Sequence, residues 1–423
     1  MFANNSLYFG TTAPLSSEQL KNLREEFYSC PKNILAQNAL SRVEVNNLCI
    51  SRRKQQELVH VFNHKVEGEG KPVTNQKSSG RLPVVKTFNI EEFEFSQSYL
   101  FFWDKVERCH NYLNTIVEVA NRGEKKDGRL LSHLFSDPIG DGGQWDMLVN
   151  LITKHGLMPK KVFPESYSSE ASAQLNAILK RNTGKFQKIL KSQEKPGISQ
   201  MAVLYRIIGI CLGIPPETFT WEYYDKNKEY HSIGPITPLQ FYQEKIKPIF
   251  NMEDKICIVN DPRETSGYGK ALTVDCLSNM VGGRPVVYNN QPIEVLMNAK
   301  FTRKLGFEDL DIIDYTSVFN TTVSTPMTKA DRMTYGESAM THAMVLTGVH
   351  VNEQGEPTKW RVENSWGDES GDKGYLLMTT DWFKEYVYEL VVDKKYLSQE
   401  VLDVNKQKPR SYRLGSNGNP GAM

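Results

Sequence analysis

His342 stands in "MTHAMVLTGV", just ahead of an apolar run that reads as a strand, and Asn364 closes the next such run in "KWRVENSWG". In adjacent antiparallel strands, residues at mirrored places of this kind come within hydrogen-bonding distance. An asparagine amide oxygen that accepts from one imidazole nitrogen fixes the tautomer and leaves the other nitrogen free as a base. That is half of a site for nucleophilic catalysis. Far upstream, "VTNQKSSGRLPVVKTFNI" sets Gln76 in a polar loop with small residues and Gly80, the texture of an approach to a nucleophile. In the place a nucleophile would occupy there are only Leu82, Pro83, Val84 and Val85. Taken singly, each polar residue has a plainer reading: a satisfied structural histidine, a turn asparagine before Ser365 and Gly367, and a surface glutamine.

Other chemistry finds less support. The six cysteines, Cys30, Cys49, Cys109, Cys211, Cys257 and Cys276, are scattered without a CxxC pair or the dense spacing of a disulfide scaffold, and read as reduced, mostly buried thiols. Cys49 in "NNLCI" looks like a small buried hydrophobe, and Cys109 lies in a helical, aromatic neighbourhood. The eight histidines form no HExxH and no Cys/His cluster, so no metal or other cofactor is expected. The Gly-rich turn in "DPIGDGGQWDMLVN" lacks both GxGxxG and a Walker lysine and reads as structural.

The elements that must position these residues follow from periodicity and caps. Residues 16–28 read as an amphipathic helix, with Ser16 and Gln19 as a capping box and Leu20, Leu23 and Phe27 at helical spacing. "FSQSYLFFWDKVERCHNYLNTIVEVANRG" reads as a long helix capped by Ser96 and stopped at Gly123, its aromatic run packing in the core. A further helix ends at Gly156, and residues 164–213 carry polar and basic helical patterns that suggest an insertion. After Pro215 the texture turns to strands in "TFTWEYYD", "KICIVND", "MTHAMVLTGVHV", "TKWRVENSW", "KGYLLMT" and "YVYELVVD". A helical N-terminal half and an antiparallel, β-rich C-terminal half are expected.

The bulk numbers exclude some functions. At 39% hydrophobic and 24% charged residues the chain is globular in composition rather than disordered. With 51 Lys and Arg against 50 Asp and Glu, no global field recruits nucleic acid or an anionic membrane, although a local basic patch stays open. No run of transmembrane length and no basic, apolar leader stands at the start, so a cytoplasmic protein is expected.

Taken together, "NQKSSG", "THAM" and "NSWG" resemble the three motif regions of the papain-like cysteine peptidases. "FNIEEFEFSQSYLFFWDKVER", "GDGGQWDMLVN", "PPETFTWEYYDK", "GPITPLQFY", "YNNQPIEVL", "GESAMTHAM" and "KWRVENSWG" extend the likeness to the bleomycin hydrolase branch, over nearly the whole chain. The resemblance implies an α+β, two-lobed papain-like fold with a helical lobe, a β-barrel-like lobe, a helical insertion and a C-terminal arm. On this sequence the expected parts are 1–163, the N-terminal arm and helical lobe; 164–233, the insertion; 234–405, the β-rich lobe; and 406–423, the arm. It implies His342 as general base and acid, Asn364 as its orienting partner, Gln76 as the side-chain donor of the oxyanion hole, and Trp366 as the indole shielding the pair. It further implies a cytosolic homohexamer that trims peptides with a free N-terminus, with the terminal carboxylate of Met423 meeting the substrate amine. The bleomycin amide and homocysteine thiolactone are implied substrates.

Two departures stand against that pattern. The family loop runs into "CW" at the first turn of a central helix, where the helix N-terminus and the imidazolium stabilise the thiolate. Here Arg81 is followed directly by "LPVVKTFNI", which resembles the later part of that helix. A strand normally found between the equivalents of Ala299 and Leu305 is also missing. The expectation is a thiol aminopeptidase whose nucleophile is lost near Arg81, inactive and weakened in its core, the gaps looking like segments skipped in a transcript or gene model. The alternatives are a non-enzymatic homo-oligomeric scaffold and, against the absent leader, a lysosomal cathepsin-like endopeptidase.

Overall fold

The computed structural model describes residues 14–65, 81–125, 128–136, 138–186, 198–298, 314–319, 327–340, 343–363 and 371–412. They divide into two compact units: the residues up to 59 with 314–319, and the remainder. The first unit is helical. Ser17–Ser29 begins at the expected capping box, Ser16 accepting from the Gln19 amide while the Gln19 side chain accepts from the Ser16 amide. Pro31–Leu40, Val45–Cys49, Arg52–Glu57 and Tyr315–Phe319 complete the unit. The Asp314 amide donates to the Cys49 carbonyl at 2.7 Å, and the Tyr315 hydroxyl to Asn46 Oδ1 at 2.9 Å. Cys49 is the one buried side chain among the described residues of this unit.

The second unit is built on the long helix Gln97–Asn121. Ser96 caps it by accepting from the Tyr99 amide, and Gly123 follows its end at φ +76, where a Cβ would be strained. Tyr99 and Phe102 are buried, as the aromatic run predicted, and Trp103 stacks on His155 at 4.0 Å between ring centroids. His155 ends the helix Trp145–His155, which stops at Gly156 with φ +77. Buried Lys105 reaches out of the long helix to the Ile139 carbonyl at 3.0 Å and to Asp141 at 2.5 Å. The Gly-rich turn is therefore an anchor for a buried cation. The helices Ala173–Phe186 and Ile198–Leu212 pack on the long helix through Leu179, Leu204 and Ile208.

Glu107 joins the long helix to the helix Trp145–His155. Buried, it accepts from His155 Nε2 at 2.8 Å and from Lys154 Nζ at 2.7 Å. Burial alone would push its carboxyl up, but the bonds from His155 and Lys154 outweigh that and hold it below the ordinary value of 4.5. A carboxylate with a depressed folded pKa contributes stability above its unfolded pKa and loses it as pH falls through the folded value. Glu107→Gln is expected to flatten the acid limb of the stability curve below about pH 4.5 relative to the parent, read by urea unfolding across that range.

Among the described residues, eleven strands make three sheets. β1 (His64–Lys65), β7 (Val345–Val351), β8 (Pro357–Glu363) and β9 (Tyr375–Thr379) pair antiparallel in the order β1-β7-β8-β9. β4 (Lys255–Val259), β5 (Lys270–Val274), β6 (Tyr288–Asn290), β10 (Glu389–Asp393) and β11 (Arg410–Tyr412) form a sheet in the order β10-β4-β6-β5-β11. β2 (Phe219–Tyr224) and β3 (Tyr230–Ile236) are a hairpin. The β-rich C-terminal half is as expected, but the five-stranded sheet is mixed: β4 with β6 and β5 with β11 run parallel. Neither larger sheet closes into a barrel among the described residues.

β4 is buried along its whole length and separates two cores. Cys257 and Val259 face the core that holds Phe102, Leu204, Trp221 and Tyr288, while Ile256 and Ile258 face Met344, Leu346, Trp360, Val362, Met378 and Phe383. Buried amides tie the sheet to its surroundings. Asn289 Nδ2 donates to the Val401 carbonyl at 2.7 Å and its Oδ1 accepts from Gln291 Nε2 at 2.7 Å. Asn290 donates to the carbonyls of Asp261 and Gly267 and accepts from the Asp261 amide.

Candidate active site

Gln76, His342, Asn364, Trp366 and Met423 lie outside the described residues, as do the expected gap around residues 299–305 and most of the C-terminal arm. The described residues supply what leads into and out of those positions. β7 and β8 begin their shared ladder at Val345 opposite Glu363, with Leu346 opposite Val362 next. The chain thus enters this end of the ladder from residue 344 and leaves it after 363. Met344 and Val362 are fully buried in the second core, so both flanking strands are fixed by apolar packing. Arg361, on the opposite face of β8, lies over the Tyr375 ring at 3.4 Å to the centroid.

The segment before residue 341 is held as firmly. Thr328 and Asp331 form a capping box at the start of the helix Lys329–Tyr335, and Gly336 ends it in the left-handed conformation at φ +79. Arg332 donates to the Glu385 carboxylate at 2.7 Å and to the Met327 carbonyl at 3.0 Å. Ser338 Oγ bonds the Tyr388 hydroxyl. Lys329 is buried, and its ammonium reaches Asn260 Oδ1 at 2.7 Å, the Val387 carbonyl at 2.8 Å and the Lys384 carbonyl at 2.9 Å. Sequence reasoning misses this lysine, because a lysine among polar residues carries no signal of burial.

On the other side of the Gln76 loop, the chain is described again from the helix Arg81–Thr87. Val84 is fully buried in the first core, and Phe88 sets its ring edge-on to Trp221 at 5.2 Å. No cysteine lies on this helix. All six cysteines are among the described residues, and all are free thiols. Burial pushes the Cys109 thiol up to about 12, and burial followed by the Asp275 charge does the same to Cys276. Cys257 and Cys49 are raised as well, burial again first. A thiol is nucleophilic as its thiolate, so these four sit in environments opposite to that of a catalytic cysteine. Asp225, Glu229 and His231 bring one ligand atom each within 4.8 Å of one another, but Asp225 Oδ1 already accepts from the Asn227 and Glu229 amides in the β2–β3 turn.

Residues 14–414 match the sequence profile of the Peptidase C1-like family. Bleomycin hydrolase of Mus musculus is 50% identical, the match covering 94% of this chain and 96% of that protein. The chain belongs to this family, in its bleomycin hydrolase branch. Aminopeptidase C of Listeria monocytogenes, another relative of this C1-like peptidase, is 34% identical over 93% of this chain and 96% of its own. The crystal structure of PepW from Lactobacillus rhamnosis superposes with a TM-score of 0.84 at 34% identity, covering 95% of this chain and 98% of that one. The fold is accordingly the α+β papain-like fold, and the chemistry of the class is hydrolysis by a cysteine peptidase of aminopeptidase type, in which Cys, His and Asn act together.

Proposed function

We propose that this chain carries the base, the orienting residue and the oxyanion donor of a thiol aminopeptidase site without the attacking thiol, and that it is inactive as it stands. On this reading His342 is the base, Asn364 the residue that orients it, Trp366 the indole that shields the pair and Gln76 the oxyanion donor; what supports it is that residues 343 and 363, next to His342 and Asn364, border one end of the β7–β8 ladder. In the complete reaction a thiolate attacks the peptide carbonyl, Gln76 and a backbone N–H hold the oxyanion, and His342 protonates the leaving amine. Water then attacks the acyl-enzyme, His342 takes its proton, and the acid and thiolate are released. Without sulfur at the first turn of the helix none of these steps begins.

One observation carries the reading: the helix that follows the Gln76 loop starts at Arg81 and holds no cysteine, while every cysteine of the chain is accounted for elsewhere. The alignment with the mouse relative supports it, since it runs over 439 positions, more than the 423 residues of this chain, so parts of the relative have no counterpart here. The remaining features come with the branch: lobes and arm at the boundaries given above, a homohexamer, Met423 as the reader of the substrate N-terminus, and a cytoplasmic place in peptide trimming, homocysteine catabolism and defence against toxic amides. No helix among the described residues is long and apolar enough to cross a membrane. The expected result with a fluorogenic aminoacyl amide is a rate equal to that of buffer and indifferent to a thiol alkylator. Turnover that the alkylator blocks would sink the proposal. Sequencing the transcript across residues 79–87 decides its origin, a recovered Cys-Trp block marking this chain as an incomplete form of an active enzyme.

A further inference from the structure

Four pieces of the second unit converge on one buried amine. Lys329 opens the helix that leads toward residue 341. Asn260, one of its acceptors, follows β4 and donates its own amide to the Gln291 carbonyl at 3.1 Å, which links the amine to the chain after β6. The other two acceptors, the Lys384 and Val387 carbonyls, come from the end of the helix Thr380–Tyr386 and the residue that caps it. The ammonium also lies over the Tyr388 ring at 4.8 Å, and the hydroxyl of that ring bonds Ser338. Three N–H donors meet three oxygens, so the group is satisfied in full only when charged.

We propose that Lys329 is a positioning residue of the active site, clamping residues 327–340 onto β4 and the Thr380–Tyr386 helix so that the chain reaches the β7–β8 ladder end at one fixed place. The inference rests on the reading of His342 as the base that this segment delivers. Arg332 bonds Glu385 and the Met327 carbonyl of its own segment, and Ser338 bonds Tyr388; of these three side chains Lys329 alone also reaches Asn260, beyond β4. The residue is a lever on geometry and does not touch a reacting atom. A base misplaced by about 1 Å costs on the order of a hundredfold in rate, which gives such a clamp its value.

The clamp is also sensitive to protons. Burial lowers the Lys329 amine to about 7; the Glu385 and Asp261 carboxylates oppose the drop and the Arg332 guanidinium adds to it. Folded, the amine gives up its proton near 7, whereas the unfolded chain keeps it to about 10.5, so between those values the unfolded state holds the extra proton. This group therefore makes global stability rise with pH across that window, while the neutral amine, with two donors, releases one of its three oxygens and loosens the segment locally.

The test compares the full chain with Lys329→Met and Tyr388→Phe by NMR of the His342 ring, assigned with His342→Gln, and by amide exchange over residues 336–340. Lys329→Met is expected to unfold cooperatively, to shift the His342 titration midpoint by at least about half a pH unit, and to speed exchange of 336–340 at least about tenfold. It should also abolish the step in exchange protection that the parent shows across about pH 7 and the rise in stability above it. Tyr388→Phe, which frees Ser338, is expected to speed exchange in the same residues and decides the matter should Lys329→Met fail to fold. A folded variant with unchanged midpoint and unchanged exchange overturns the inference. Asn364→Ala separates the two readings: if it leaves the His342 midpoint unmoved, the proposed pair is wrong, whereas exchange at 336–340 still reports on the clamp.

Discussion

His342→Ala is expected to leave the rate of aminoacyl amide hydrolysis unchanged in this chain and to remove it almost completely from a version in which the proposed cysteine block before the Arg81 helix has been put back. The asymmetry follows from how a nucleophile and its base work. Each is useful only through the other, so knocking out either costs about as much as losing both, on the order of 10⁶-fold in a well-studied serine peptidase. If the thiol is absent, as proposed, the imidazole has no proton to take and its removal has nothing left to cost. Restoring the block is expected to raise kcat/KM by at least about 10⁴-fold, and His342→Ala in that background to lower it by a comparable factor. The four combinations measured side by side form a double-mutant cycle. Independent, additive effects of the two changes would mean that His342 and the restored thiol do not act as a unit.

The second large effect is on the fold. Trp360→Ala is expected to cost about 3–5 kcal/mol, against a total stability of about 5–15 kcal/mol for a domain. Trp360 lies in the middle of β8, opposite Val349 on one side and Met378 on the other, with only 1% of its surface exposed. Its ring tilts against Phe383 at 5.0 Å in the core that also holds Met344 and Val362. Truncation leaves a cavity under the four-stranded sheet, which the paired backbone of β7, β8 and β9 cannot collapse to fill. The loss falls on the strands that present the two candidate segments. By contrast Ile210→Ser, on the exposed face of the Ile198–Leu212 helix, is expected to change stability by no more than about 0.5 kcal/mol. Urea midpoints followed by far-UV circular dichroism compare the two, and a Trp360→Ala cost under about 1 kcal/mol would contradict the account.

Elements with local punctuation were legible in the sequence. Ser16 with Gln19, Ser96, Gly123 and Gly156 mark helix ends because a cap satisfies orphan amides within three residues and a glycine supplies a positive φ at one. The aromatic and β-branched runs after Pro215 were legible as strands for a similar reason. Strand direction was not: β4 and β6 are buried runs too short to carry any trace of a parallel neighbour. β1, two residues long, has no pattern to read. Of the site, the three motifs were legible as chemistry only in combination, while Lys329 and Lys105 were invisible, since what buries a lysine is an arrangement of carbonyl oxygens contributed by distant parts of the chain.

The amides of Asn289, Asn290 and Gln291 set a limit of another kind, measured in time. Each Asn both donates to a carbonyl and accepts from an N–H inside the protein. Side-chain amides are among the thermolabile groups of a protein, and hydrolysis turns the donating nitrogen into an oxygen. At Asn289 that oxygen would face the Val401 carbonyl, acceptor against acceptor, with a new negative charge on a buried side chain. The middle of this sheet thus has no spare chemistry with which to grow old: a single hydrolytic event at Asn289 or Asn290 would act as a core mutation.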